Sequence, residues 1–285
     1  MKILSILSFM FLIHFSYAQK FYAGADGALM IPIIPQNPHG NYTPYAFPTT
    51  SSNSANSLTG SYTSGISVGG FLGYQLNENI SFEAGMHYLS GNEYSSKDTY
   101  TDLNQNDKFE YKTKLTLINF YPAIKFSLPY KSCRLYMRTG FLFGITSITE
   151  EENETRIGSQ NLITEYATIN TGYSWGFFHS IGIEKNLKYH LKIFAEWTLR
   201  YQAYLSDKGN VTKDVYNGVD QLGFLNSSQR NFVYVDSYAK VNSSDPNQPS
   251  KILGYKQAFD SMGLQVGIIY VFGKSNTSVM TRDTK

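Results

Sequence analysis

His87, His179 and His190, with Ser180 beside the second of them, are the side chains whose types could carry nucleophilic chemistry. Hydrolysis by a serine needs a histidine within hydrogen-bond reach of the hydroxyl and an acid behind it. The three histidines are scattered, and the chain is read as carrying neither a Gly-x-Ser-x-Gly nucleophile motif nor His-Glu-x-x-His. His179 and Ser180 are adjacent, and neighbours on a strand point to opposite faces, so they would not cooperate. Glu150, Glu151, Glu152 and Glu154 form a dense carboxylate run of the kind that hard divalent cations use. Such a run is more often a solvated loop. No catalytic residue, cofactor or metal site is expected, and the chain reads as a non-enzyme.

A second set of charges is more orderly. Asp26, Glu83, Glu184 and Glu196 on one side and Lys125, Arg138, Lys192 and Arg200 on the other each interrupt a segment that alternates at period two. Phe21, Ala23, Ala25, Leu29, Ile31 and Ile33 share a face opposite Asp26, and Phe82, Ala84, Met86 and Tyr88 oppose Glu83 and His87. The pattern recurs with Phe120, Ile124 and Phe126 against Lys125, and with Met137, Phe141 and Phe143 against Arg138. Trp175, Phe177, Ile181 and Ile183 oppose Glu184, while Ile193, Trp197, Leu199 and Tyr201 oppose Lys192, Glu196 and Arg200. Strands that are apolar on one face and charged on the other suit lipid outside and a paired polar interior. His179 breaks the rule: its parity is outward, which suggests either a position near lipid headgroups or a bulge that shifts register.

The elements that must hold these residues are eight strands, read as Lys20–Ile34, Ser64–Gln75, Ile80–Asn92, Lys114–Leu128, Arg134–Ile148, Ser174–Lys185, His190–Leu205 and Lys256–Phe272. Short connections (Leu76–Asn79, Pro129–Cys133, Asn186–Tyr189) alternate with long polar ones (Pro35–Thr63, Glu93–Thr113, Thr149–Tyr173, Ser206–Tyr255). Loops longer than about 12–15 residues are uncommon in compact soluble folds, whereas membrane barrels place all of theirs at one end. The expected fold is all-β, an antiparallel up-and-down transmembrane barrel of about eight strands. Within the longest loop Asn231–Val241 alternates too; it reads as an extension beyond the membrane, with two more spanning strands, giving ten, as the alternative.

The last strand carries a further pattern. Met262, Leu264, Val266, Ile268, Tyr270 and Phe272 share one face, and Gln265, Gly267, Tyr270 and Phe272 have the polar-x-Gly-x-x-aromatic-x-aromatic spacing of an outer-membrane assembly signal. Gly273–Lys285 follow it, whereas many such signals end the chain. Leu117–Phe126 (LINFYPAIKF), Arg134–Gly144 (RLYMRTGFLFG) and Gly263–Phe272 resemble strands of the small outer-membrane β-barrel domain family, in matching order over about residues 20–272. The resemblance implies location in a bacterial outer membrane and assembly by that membrane's barrel machinery. It implies little about role, because the fold serves many functions.

The ends and the composition fit export. Met1–Ala18 has Lys2, an apolar run Ile3–Ile13 and Ser16-Tyr17-Ala18, the layout of a cleaved signal peptide. The expected division is therefore signal peptide 1–18, barrel domain 19–272 and a short tail 273–285. Mean hydropathy is −0.28, and no later stretch is apolar enough for a spanning helix. Cys133 is the sole cysteine, which precludes an internal disulfide, and the net charge of +2 offers no bulk attraction for nucleic acid.

Function is expected from this architecture. A barrel of about eight strands fills its interior with side chains, so the eight charges are expected to form a structural ion-pair network. The long loops, with Tyr94, Tyr100, Tyr216, Tyr234 and Tyr238 among Asn and Ser, have the composition of adaptable contact surfaces. The expected role is a non-enzymatic envelope protein in contact with membrane lipid and lipopolysaccharide, its loops open to an external partner. A small-solute or ion channel is the alternative, and a lipid-modifying hydrolase the second.

Overall fold

The computed structural model describes residues 20–33, 52–54, 62–102, 105–158, 162–236, 245–254 and 256–272. The expected signal peptide, the tail 273–285 and most of the first long loop lie outside them, as do Tyr238 and the end of the Asn231–Val241 stretch.

Eight strands form the staves: β1 Lys20–Pro32, β2 Gly65–Gln75, β3 Ile80–Gly91, β4 Gln105–Tyr130, β5 Cys133–Gly158, β6 Leu162–Asn186, β7 Leu191–Tyr216 and β8 Ser261–Val271. Each pairs antiparallel with its sequence neighbours, and β8 returns to pair with β1 from Tyr22↔Val271 to Pro32↔Ser261. The ring is closed. Closure is what hydrocarbon demands, since an open edge would leave backbone N–H and C=O groups without partners. The outward faces carry Phe21, Leu29, Leu72, Phe82, Phe120, Phe141, Trp175, Ile181, Trp197 and Leu264, all exposed.

Short turns close one end. Asn77 Oδ1 accepts from the backbone N–H of Asn79 and Ile80, which sets the β2–β3 turn. Lys131 (φ 51°) turns β4 into β5, and Tyr189 (φ 59°) and His190 (φ 65°) turn β6 into β7.

The long-loop end departs from the sequence reading. Lys114–Leu128, Arg134–Ile148, Ser174–Lys185 and His190–Leu205 are only the lower halves of β4–β7, which run 26, 26, 25 and 26 residues. About 9–11 residues cross a bilayer, so each stave continues well beyond it. Glu93–Thr113 and Thr149–Tyr173 are therefore ladder and not loop: Tyr94–Asp102 pairs with β4, and β5 and β6 remain paired out to Arg156↔Leu162. Asn231–Val235 adds to the same extension, antiparallel to Lys208–Asn210 of β7 and parallel to Ser250–Leu253. It is no membrane strand. The extension reads as loop because charged residues crowd it and only a few apolar ones (Phe109, Tyr111, Ile157, Ile163) alternate with them; its backbone ladder carries charge pairs such as Lys97–Glu110 (3.4 Å) and Arg156–Asp107 (3.3 Å).

Candidate functional site

The barrel lumen is built in layers from the inward-facing parity of each stave. At the centre, Arg138 donates to Glu83 Oε2 (3.0 Å) and to Glu196 Oε1. The same carboxylates are completed by tyrosines, Tyr22 donating to Glu83 Oε1 at 2.6 Å and Tyr136 to Glu196 Oε2 at 2.8 Å. Nearer the short turns Lys125 (2.6 Å), Lys192 (3.0 Å) and Arg134 (3.8 Å) converge on Glu184. Towards the long-loop side His87 Nε2 lies 3.0 Å from Asp26 Oδ1, and an Arg200 N–H faces His87 Nδ1 at 3.3 Å. All eight inward charges predicted from parity thus face the interior, in three groups that the strand pattern alone did not reveal.

Aromatic rings fill the space between them. Phe71, Phe178 and Phe194 stand 5.4–5.9 Å from the Arg138 guanidinium, and Lys125 lies 4.3 Å from the Tyr136 ring. Gly69 is required by this packing: a Cβ there would come within 1.8 Å of the His87 ring. Above the charges, Gln202 donates to Asn119 (2.6 Å) and to Ser174 (2.8 Å). Higher still an apolar cluster of Tyr204, Phe259, Tyr62, Leu89, Leu115, Leu117 and Met30 spans the lumen, with Tyr204 and Phe259 stacked at 5.0 Å. The sequence pattern does not single out Tyr22, Tyr136 and Phe259 as lumen residues, although the first two share parity with Asp26 and Arg138; it places His87 inward but does not give its partners.

Nucleophilic chemistry finds no support in this geometry. Ser180 is inward, its hydroxyl between Arg138 Nε (3.4 Å) and Glu196 Oε2 (3.2 Å), while His179 is exposed on the other face. A Gly-x-Ser-x-Gly spacing that sequence reading passed over does exist, at Gly65–Gly69. It lies inside strand β2, not on the strand-to-helix turn that exposes such a serine. Ser67 is fully buried, and both ring nitrogens of the nearby inward His87 face Asp26 and Arg200. The Glu150–Glu154 run is part of β5, correcting its placement in a loop. Burial pushes the Glu150 carboxyl up, opposed by the bond it accepts from Asn170 at 2.8 Å, and Glu154 pairs with Arg156 at 2.9 Å. Among the described residues no three His, Cys, Asp or Glu side chains gather to hold a metal.

The last strand places Gln265 inward and buried, and Tyr270 and Phe272 outward with rings 5.1 Å apart. Gly267 lies under Phe194, whose ring a Cβ would meet at 2.6 Å. His179 faces outward in unbroken register, paired with Thr139 and Leu199. The bulges of β6 lie elsewhere, at Ala167/Thr168 and Thr171/Gly172, so a register shift does not account for it.

A closed antiparallel ring, apolar outside and ion-paired inside, is a transmembrane β-barrel of the bacterial outer membrane. The chain belongs to the outer membrane protein beta-barrel domain family, whose family model matches residues 36–225. It is similar in structure to the outer membrane protein OprG from Pseudomonas aeruginosa, with 10% identity over 90% of this chain and 97% of that one and a TM-score of 0.40. A major outer membrane protein from Thermus thermophilus is 10% identical over 90% and 100%, at a TM-score of 0.33. CarO2 from Acinetobacter baumannii is 12% identical over 90% and 100%, at 0.27. No curated protein matches the chain.

Proposed function

We propose that this protein is a non-enzymatic surface protein in which a sealed barrel anchors a raised β-sheet and its loops for contact with an external partner. The observation that carries the reading is the filled lumen, in which the central carboxylates have partners and an apolar cluster lies above them. A matched interior needs no open pathway, and buried ions stay put only when paired. The extension built by β4–β7 is then the part that meets other molecules, with lipopolysaccharide as its immediate surroundings.

The test has two arms. In planar bilayers the purified protein is expected to give no steady current; a reproducible open-channel conductance would replace this reading with the channel alternative. Deleting residues 221–249 leaves β7 intact to Tyr216 and is expected to abolish cell-surface binding while the barrel still folds. If surface interactions of the deleted form equal those of the full chain, the loops are only a shield for the barrel rim.

Assembly is proposed to use Gln265, Gly267, Tyr270 and Phe272, with the barrel machinery as partner. Phe272→Ser should lower the amount inserted into the outer membrane several-fold without reducing export. Normal insertion of this variant would remove Phe272 from the signal.

A further inference from the structure

The lipid-facing belt of the eight staves has one polar spot. Outward side chains at mid-height are Ala, Leu, Ile, Val, Met, Phe, Trp, Tyr or Pro except at two adjacent positions, Thr139 on β5 and His179 on β6. His179 lies six residues from Lys185 near the short turn and six from Tyr173 at the other rim, so it sits near the middle of the hydrocarbon, away from headgroups. Its Nδ1 is 3.0 Å from Thr139 Oγ1, and its Nε2 has no partner among the described residues. Acyl chains cannot supply one. An ionisable side chain facing lipid at this depth marks a site of interaction.

We infer that the face around Thr139 and His179 is where a second copy of this chain docks within the membrane, the two His179 rings meeting across a two-fold axis along the membrane normal. Such an axis brings residues of equal depth together, so a partner group at mid-bilayer is supplied automatically. The chemistry is self-complementary. A threonine hydroxyl can donate to a bare Nδ1 or accept from a protonated one, so either histidine tautomer is tolerated. One copy can then present Nε2–H and the other a bare Nε2, forming one hydrogen bond. Met137, Phe141, Phe177, Ile181 and Trp197 surround the pair with exposed apolar side chains that would pack around it.

The test uses the full chain in outer-membrane vesicles, with Cys133→Ser as background so that an introduced cysteine is alone. Phe177→Cys places a thiol beside His179, and Leu72→Cys places one on β2, four staves away on the opposite side of the ring. A short bis-maleimide is expected to give a species of twice the chain mass for Phe177→Cys and none for Leu72→Cys. Adding His179→Leu or Thr139→Val should weaken dimerisation about tenfold in sedimentation of the detergent-solubilised protein. The heat-modifiable gel shift of both variants reports that each monomer folds, and His179→Gln should retain part of the association. Equal cross-linking at both cysteines, dimers indifferent to His179→Leu, or a cross-linked species of another mass would each overturn the proposal.

Discussion

Arg138→Met is expected to lower barrel stability by about 3–5 kcal/mol, because it strips two buried carboxylates of their shared cation. Glu83 and Glu196 would be left facing each other with only Tyr22, Tyr136, Ser180 and the more distant Lys125 (3.9 Å from Glu83) to hold them. Urea unfolding in lipid, followed by fluorescence of Trp175 and Trp197, provides the measurement, since both tryptophans face the bilayer. The triple change Glu83→Gln, Arg138→Met, Glu196→Gln should recover much of the loss, because a neutral buried set carries no ionic desolvation cost. A loss under about 1 kcal/mol for Arg138→Met alone would mean that water reaches the centre of the lumen and solvates the two acids.

The second large effect is expected at the upper seal. Phe259 is 1% exposed, stacked on Tyr204 and 6.1 Å from Tyr62, so Phe259→Ala should cost about 3–5 kcal/mol in the same assay, through lost contacts and a residual cavity. Bilayer current should nevertheless stay absent, because the Arg138 layer and the aromatic rings around it remain in place below. A steady current from Phe259→Ala alone would show that the apolar cluster is the barrel's only barrier. Arg138 packs against the rings of Phe71, Phe178 and Phe194 in one cluster and Phe259 belongs to the other, so the two substitutions should be close to additive.

The membrane part of the fold is legible in the sequence for a plain reason. Lipid favours apolar outward side chains, so Leu135, Met137, Phe141 and Phe143, interrupted on that face by Thr139 alone, announce their strand. Above the bilayer that constraint lapses. Glu150, Glu151, Glu152 and Glu154 can face either side of a solvated ladder, and a segment that reads as loop proves to be β5. Inward charges were assignable by parity, but their partners were not: whether Arg138 meets Glu83 or Glu184 depends on the stagger between staves, which no local pattern encodes. His87 shows the same limit, since its face was evident and Asp26, sixty-one residues away, was not. The Gly65–Gly69 spacing shows the converse, a motif whose strand context removes its meaning.

The seam between the first and last staves has a consequence for how the molecule comes into being. Tyr22 and Val271, the outermost pair of an eleven-position ladder, are nearly the whole chain apart, so this contact is the costliest in entropy to form. Until it forms, the interior acids and bases lie on a curved sheet with water on one side; closure is the event that dries them. A chain that stops before Ser261 cannot settle for less. With seven staves, β1 and β7 would run in the same direction, and no antiparallel seam could join them. The edges of β1 and β7 that β8 pairs would lose their partner, and biosynthesis must therefore deliver the final eleven-residue strand before this antiparallel ring can close.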